Sequence, residues 1–167
     1  MVTLQAPHGS TCPLRIFPFT MAGRPRGRVN LVPQNEILPM NGLVDVRLKY
    51  LDIAVATQTV QSTLEWCARH RLLMNEYECG QCHVLCTLVK CARLVDQFTW
   101  HCHQCKRTKT VRDGSFFQRS HVGIDKIVHF MYGWATDWPL HVIAHETELS
   151  KVTAVDWANF CRDFCSQ

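Results

Sequence analysis

Two cysteine pairs are the residues of this sequence best suited to metal chemistry. Cys79 and Cys82 form one Cys-x-x-Cys pair, and nineteen residues separate it from a second pair, Cys102 and Cys105. Two intervening residues let both thiolates of a pair face one ion, and four sulfur ligands complete the tetrahedral shell of structural zinc. Such a site leaves no position open for a reacting water. We therefore expect Zn²⁺ to hold structure here.

The cysteines also allow other interpretations. The pairs could form disulfides, or one could be a redox Cys-x-x-Cys, although two pairs without a βαβ pattern argue against the redox alternative. Cys86 and Cys91 lie between the pairs and could hold a second zinc with two neighbouring histidines. We instead expect them to be small buried residues on the strands of the zinc-binding segment. Cys161 falls on the apolar stripe of a predicted helix, which indicates core packing.

Positive charge is concentrated beside the second pair. The chain has 167 residues and a net charge of +4, and residues 100–126 alone contain six basic and two acidic residues. A positive segment in a nearly balanced chain is typical of polyanion binding, and the alternative is a solvated face. The residues predicted to contact DNA phosphates are Lys106, Arg107, Lys109 and Arg112.

Composition excludes several classes of protein. Apolar residues make up 47% of the chain and charged residues 19%, enough to fill a core. No apolar run reaches the roughly eighteen residues that span a bilayer, and we read no signal peptide in the first thirty residues. We therefore expect an intracellular protein without a membrane partner. No acidic cluster or nucleophile arrangement indicates a catalytic site, so we expect no enzyme activity and no small-molecule substrate.

The metal ligands require elements that position them, and the sequence divides into four segments. Residues 1–45 contain six of the seven prolines and are predicted to be a disordered tail. Residues 46–75 are predicted to be a leading helical segment with a helix at about 57–73. Residues 76–118 are predicted to form a zinc ribbon of short antiparallel strands, extended again at 109–118. Residues 119–167 are predicted to be helical, which makes the fold class α+β.

The last segment has the spacing of a helix-turn-helix. An apolar stripe begins at Ile124, Pro139 starts a second short helix, and Ser150 is placed as the N-cap of a third. Glu148 stands where such turns usually have glycine, and a plain helical hairpin is the alternative. If the third helix reads DNA, its base-contacting candidates are Ser150, Lys151, Thr153 and Asn159.

Residues of about 57–165 resemble the N-terminal region of Merlin-type transposases and their insertion-sequence relatives. The resemblance rests on Leu72-Leu73, the two cysteine pairs, Trp100 to Cys105, Val111 to Phe117, Ser120-His121, Trp134, Leu149 to Lys151, Val155 to Trp157, Asn159 to Arg162 and Cys165. It implies a zinc ribbon plus helix-turn-helix that recognises double-stranded DNA at transposon ends. In that family an RNase H-like catalytic domain follows. The chain stops at Gln167, so we expect a truncated, non-catalytic relative, located in the nucleus.

Two further hypotheses concern other parts of the chain. Gly23 to Arg28 reads Gly-Arg-Pro-Arg-Gly-Arg, which resembles most of an AT-hook core and predicts a minor-groove arm; a chance Arg/Gly run is the alternative. As a different class of function, the ribbon could dock proteins. The C-terminal helices, with Trp134, Trp138 and Trp157, would then bind a protein partner or a second copy of the chain.

Overall fold

The fold is α+β, as the sequence predicts. A computed structural model describes residues 27–43 and 47–166. None of the helices in these ranges is both long and apolar enough to cross a bilayer. The elements are two 3₁₀ turns (Gln34–Glu36 and Met40–Leu43), α1 (Tyr50–Ala56), α2 (Val60–Arg69), β1 (Thr87–Lys90), β2 (Phe98–His101), β3 (Thr108–Thr110), α3 (Ile124–Ala135), α4 (Leu140–Glu146) and α5 (Lys151–Cys165).

Three short strands form one antiparallel sheet in the order β1-β2-β3. Trp100 of β2 lies opposite Leu88 of β1 and Lys109 of β3, so these three side chains share a face. The indole of Trp100 is fully buried, which fixes that face towards the core. Extended structure ends at β3, where the Asp113 N–H donates to the Thr110 carbonyl at 3.1 Å, and Gly114, with a positive φ of 68°, lies in the turns that follow. The predicted extended stretch 109–118 is therefore mostly turns.

The main core joins the leading helices, the sheet and α3. Its buried side chains include Leu64 of α2, Trp100 of β2 and Ile127 of α3. Cys79 and Cys102, one from each cysteine pair, belong to the same cluster. The cysteine site is thus part of the main core rather than an appendage to it.

A second, smaller core lies among α3, α4 and α5. Phe130 from α3 and Ile143 from α4 are buried there, together with a stripe on α5 formed by Ala154, Ala158 and Cys161. The burial of Cys161 agrees with the packing role expected from the sequence. The spacing of these α5 residues is that of one helical face, so α5 packs along its length.

The leading helix predicted at about 57–73 is present as the shorter α2, and a second helix, α1, precedes it. The N-cap of α2 is Thr59, whose hydroxyl accepts a hydrogen bond from the Ser62 N–H. Arg71 has a φ of 59°, which ends the helical run before Leu72 and Leu73. The short helix α1 lies before this cap, and the apolar periodicity of the sequence did not reveal it.

Residues 27–43 correct the expectation of a disordered tail over 1–45. Leu31 and Val32 are buried. The main-chain carbonyl of Asn75 accepts a hydrogen bond from the Leu31 N–H, and the side-chain amide of Asn75 forms hydrogen bonds with the N–H and the carbonyl of Val32. Arg28 offers its carbonyl oxygen to the Leu88 N–H of β1 at 2.7 Å, so this stretch also lies along the sheet edge. Residues 1–26 and 44–46 lie outside the described residues.

Candidate metal centre

Each cysteine pair sits in a tight loop that ends in a left-handed residue. In the first loop the His83 N–H donates to the Cys79 carbonyl at 2.9 Å, and the Cys79 N–H donates to the Val84 carbonyl at 3.0 Å. His83 has a φ of 56°. These bonds fold the chain so that both sulfur atoms point to one side.

The second loop repeats the same hydrogen bonds. The Lys106 N–H donates to the Cys102 carbonyl at 2.9 Å, and the Cys102 N–H donates to the Arg107 carbonyl at 2.8 Å. Lys106 has a φ of 59°. Each residue of this loop therefore has a structural counterpart in the first one, which is the paired-loop arrangement that the sequence spacing predicts.

The two loops bring their four sulfur atoms together. The Sγ atoms of Cys79, Cys82, Cys102 and Cys105 all lie within 4.8 Å of one another, and those of Cys82 and Cys102 are 3.4 Å apart. Four sulfurs at about 2.3 Å from one ion would be about 3.8 Å apart at the corners of a tetrahedron. The cluster fits a metal ion with four thiolate ligands and is compatible with zinc.

The surroundings favour thiolate at one cysteine of each pair. Hydrogen bonds from the N–H groups of Gln81 and Cys82 lower the pKa of Cys79 to about 6. The Cys105 N–H, 3.3 Å from the Cys102 sulfur, lowers the pKa of Cys102 in the same way. The Val84 N–H lowers the pKa of Cys82, but desolvation and the neighbouring sulfurs outweigh it and raise this pKa to about 12. A divalent cation would compete with the protons on the high-pKa thiols.

Cys86 and Cys91 do not form a second metal site in the structure. Within residues 27–43 and 47–166, the four-cysteine cluster is the single group of three or more His, Cys, Asp or Glu ligands close enough to share an ion. Cys86 is buried immediately before β1, and burial raises its pKa to about 11. Cys91 is half-buried in the turn after β1. Both therefore flank the strand rather than lie on it.

Three of the four predicted phosphate-contacting residues are on the surface. Lys106 and Arg107 are exposed within the second cysteine loop, and Lys109 is exposed on β3. The Lys109 ammonium lies 3.6 Å from the Asp113 carboxylate, so part of its charge is balanced. Lys106 and Arg107 follow the candidate ligand Cys105 in the chain and reach solvent.

Arg112 does not belong to this exposed set, and its predicted role as a phosphate contact is corrected. Its guanidinium is buried and binds both carboxylate oxygens of Asp96, at 2.6 Å each. It also donates to the Ser120 carbonyl at 2.8 Å. With these partners inside the protein, Arg112 cannot reach a phosphate without breaking a buried ion pair.

The four candidates for base contacts, at the N-cap of α5 and along this helix, divide into two kinds. Ser150 caps α5 by accepting a hydrogen bond from the Thr153 N–H at 3.1 Å, and the two hydroxyls are 2.8 Å apart. Lys151 is exposed, and Asn159 is exposed with its Oδ1 accepting from Arg162 at 3.0 Å. Ser150 and Thr153 thus build the helix end, whereas Lys151 and Asn159 present free polar groups to solvent.

Some contacts near the centre were not predicted from the sequence. His103 lies 2.7 Å from the Thr87 hydroxyl, and the rings of His101 and His103 meet edge to face at 4.9 Å. Asp96 closes the buried pair with Arg112. Flanking histidines were visible as a cluster in the sequence, but the strand register that pairs them with Thr87 was not.

Comparison of this chain with family models, curated proteins and solved structures gives no match.

Proposed function

We propose that the chain is a zinc-dependent module that binds double-stranded DNA, with residues 76–118 acting as a zinc ribbon. The observation that carries the proposal is the placement of Lys106 and Arg107 on the same loop as two of the four candidate ligands. A metal that fixes this loop also fixes the position of its cations. Cations held in place neutralise phosphates with less loss of conformational entropy than mobile ones.

The helices α3, α4 and α5 support a helix-turn-helix as the second part of this proposal. A short helix, a turn and a longer helix follow one another, and Glu148 in the turn has the left-handed φ of 53° that such turns use. Lys151 and Asn159 are the exposed candidates for contacts with base edges. The module would then resemble the end-recognition region of a Merlin-type transposase, without a catalytic step and with the nucleus as its location.

DNA binding is tested by the salt dependence of affinity for duplex DNA. We expect K106A/R107A to weaken binding and to reduce the slope of log K against log salt by about 2, because each lost phosphate contact removes about 0.9. The matched control is K90A/R93A, which removes the same charge at the opposite end of the sheet. Equal effects of both double variants, or no binding above background by the parent, would contradict the proposal.

The zinc requirement is tested in the same assay. Removal of the metal with a chelator should abolish the salt-dependent binding, and added Zn²⁺ should restore it. Retention of full DNA affinity by a metal-free sample would show that the cysteine cluster does not position the basic loop.

A protein-interaction module is the second candidate, and the surface of α5 favours it. Phe160 and Phe164 are exposed on this helix, and its cations Lys151 and Arg162 are matched by Asp156 and Asp163. Exposed aromatic groups without excess positive charge are typical of protein interfaces rather than DNA-reading helices.

A further inference from the structure

An apolar groove lies between α5, the C-terminal end of α3 and the loop that follows α2. Its volume is about 740 Å³, which accommodates several apolar side chains. Met74 and Phe164 on its rim are 45% and 58% exposed. The apolar lining includes Leu72, Met74, Phe116, Met131, Trp134 and Phe164.

An aromatic stripe extends this groove along α5. Phe116 contacts Phe160 at a ring-centroid distance of 5.0 Å, Phe164 at 5.3 Å and Trp157 at 6.0 Å. Trp157, Phe160 and Phe164 follow a three- and four-residue spacing, so they form one helical face beside the stripe that is buried in the core. Groove and stripe together make one apolar surface that nothing in the described part of the chain covers.

Acidic residues border this surface. Asp156 and Asp163 are exposed on α5, each immediately before an aromatic residue of the stripe, and Glu76 lines the groove. Arg71 of the lining balances one of these three charges, and Lys151 and Arg162 lie on the side of α5 away from the stripe, so the border keeps a net negative charge. An apolar segment that also carries positive charge is therefore the complementary occupant.

We propose that residues 14–21 of this same chain bind in the groove. Their sequence is Leu-Arg-Ile-Phe-Pro-Phe-Thr-Met, in which five of eight residues are apolar and Arg15 supplies positive charge. Residues 1–26 as a whole contain three arginines and no acidic residue, so their charge complements the acidic border. Residues beside a proline favour extended conformations, which suit a groove.

The connection between this segment and the described structure is long enough. The first described residue, Gly27, is six residues from Met21 and thirteen from Leu14. At about 3.3–3.6 Å for each extended residue, these links span roughly 20 to 45 Å. Leu31, four residues after Gly27, donates its N–H to the carbonyl of Asn75, which lines the groove. Gly27 is therefore within about 15 Å of extended chain of the groove, a distance that the links span.

A second copy of the chain fits the groove less well. If two α5 helices packed antiparallel through the aromatic stripe, Asp156 and Asp163 of each copy would face the same two residues of the other. Like charges across an interface are unfavourable, so charge selects the basic segment over self-association.

The test uses Cys165, an exposed cysteine on the groove wall, as a reporter in the full zinc-loaded chain. Its alkylation by iodoacetamide is followed by mass spectrometry of peptides. If the segment occupies the groove nine-tenths of the time, I16S/F17S/F19S should accelerate alkylation about tenfold relative to the parent. Equal rates in the parent and this variant would overturn the proposal.

Three controls separate the segment from other causes. V2S/L4S/A6S makes a matched change outside residues 14–21 and should leave the rate unchanged. D156K, nine residues from the reporter, should accelerate alkylation because it repels the arginines; an unchanged rate would contradict the charge argument. Protection of Cys165 that increases with protein concentration would overturn the proposal in favour of a second copy.

The same experiment also checks that the protein stays folded. Cys161, whose pKa is raised to about 11 by burial, should stay unlabelled while the fold is intact.

Discussion

Arg112 differs from the neighbouring basic residues because its guanidinium is buried against the carboxylate of Asp96. Its buried pair with Asp96 predicts that Arg112→Ala destabilises the protein by about 3–5 kcal/mol, because an unpaired carboxylate remains in the core. The same variant should leave the salt dependence of DNA binding unchanged, unlike K106A/R107A. Thermal or denaturant unfolding and the DNA-binding assay measure the two effects.

The double variant D96L/R112M provides the control for this pair. Removing both charges together should recover most of the lost stability, since an apolar pair needs no buried counter-charge. A reduced salt slope for Arg112→Ala at temperatures where it is fully folded would contradict the structural role and return Arg112 to the phosphate-contacting set.

Among single residues, the four-cysteine cluster could be predicted from sequence and the environment of Arg112 could not. Cys79 and Cys82 are neighbours along the chain, so their spacing alone specifies a loop with two sulfurs on one side. Asp96 is sixteen residues from Arg112, and their contact depends on how the chain returns from β2 to β3. A basic residue in a basic segment gives no local sign that it is buried.

Among the elements, the turn between α4 and α5 carries a backbone cost at Glu148. Its φ of 53° is left-handed, which costs a non-glycine residue about 1–2 kcal/mol. We predict that Glu148→Gly makes the protein about 1 kcal/mol more stable than Glu148→Ala, part of the gain being offset by the flexibility of glycine in the unfolded chain. Chemical denaturation of the two variants measures the difference.

Alanine is the proper reference for this comparison. Both variants remove the exposed ion pair of Glu148 with Lys126 at 2.7 Å, so its small contribution cancels. If E148A is as stable as E148G, the left-handed turn does not limit stability at this position.

The helices of the C-terminal unit were predictable and the leading helices were only partly so. The apolar stripe from Ile124, the proline at 139 and the serine cap at 150 are local signals, and α3, α4 and α5 begin close to them. The predicted helix over 57–73 ends early because Arg71 adopts a left-handed conformation, which an arginine does not predict. Helix α1 has seven residues, too few to show a clear period.

For the whole molecule, the position of the cysteine site inside the main core decides what loss of metal does. Because Cys79 and Cys102 belong to the same buried cluster as Leu64 and Ile127, we predict that chelation lowers the melting temperature of sheet and helices together. Near-ultraviolet circular dichroism, to which the buried Trp100 contributes along with the other four tryptophans, and far-ultraviolet helix signals should change in a single transition.

This metal dependence should also vary with pH in a definite direction. Cys82, with its pKa raised to about 12, and Cys105, whose pKa is also raised, keep their protons in the metal-free cluster near neutral pH. Binding displaces at least these two protons, so apparent zinc affinity should rise at least about 100-fold per pH unit between pH 6.5 and 8.5. Competition with a chelator of known affinity measures this, and a pH-independent affinity would contradict the four-thiolate site.

The shared core was beyond sequence analysis. Four segments were delimited by composition, yet buried residues from Leu31 to Val128 form one cluster that includes members of all four. Local periodicity reports which face of an element is apolar and says nothing about which other element covers it. Leu31 and Val32 are the clearest example. The prolines near them predict an irregular backbone, but an irregular backbone can still be buried, as it is here.

The contact of Arg28 with Leu88 has a consequence for handling the protein. An open strand edge is a template for pairing with other chains, and here the preceding stretch occupies part of that edge at β1. A shortened chain that starts after Val32 would lose the contact of Arg28 with the edge of the sheet. It would also lose the core residues Leu31 and Val32, which would expose the apolar side chains packed against them. Such a fragment would be prone to aggregate, which makes the residues just before the first helix a poor place to trim.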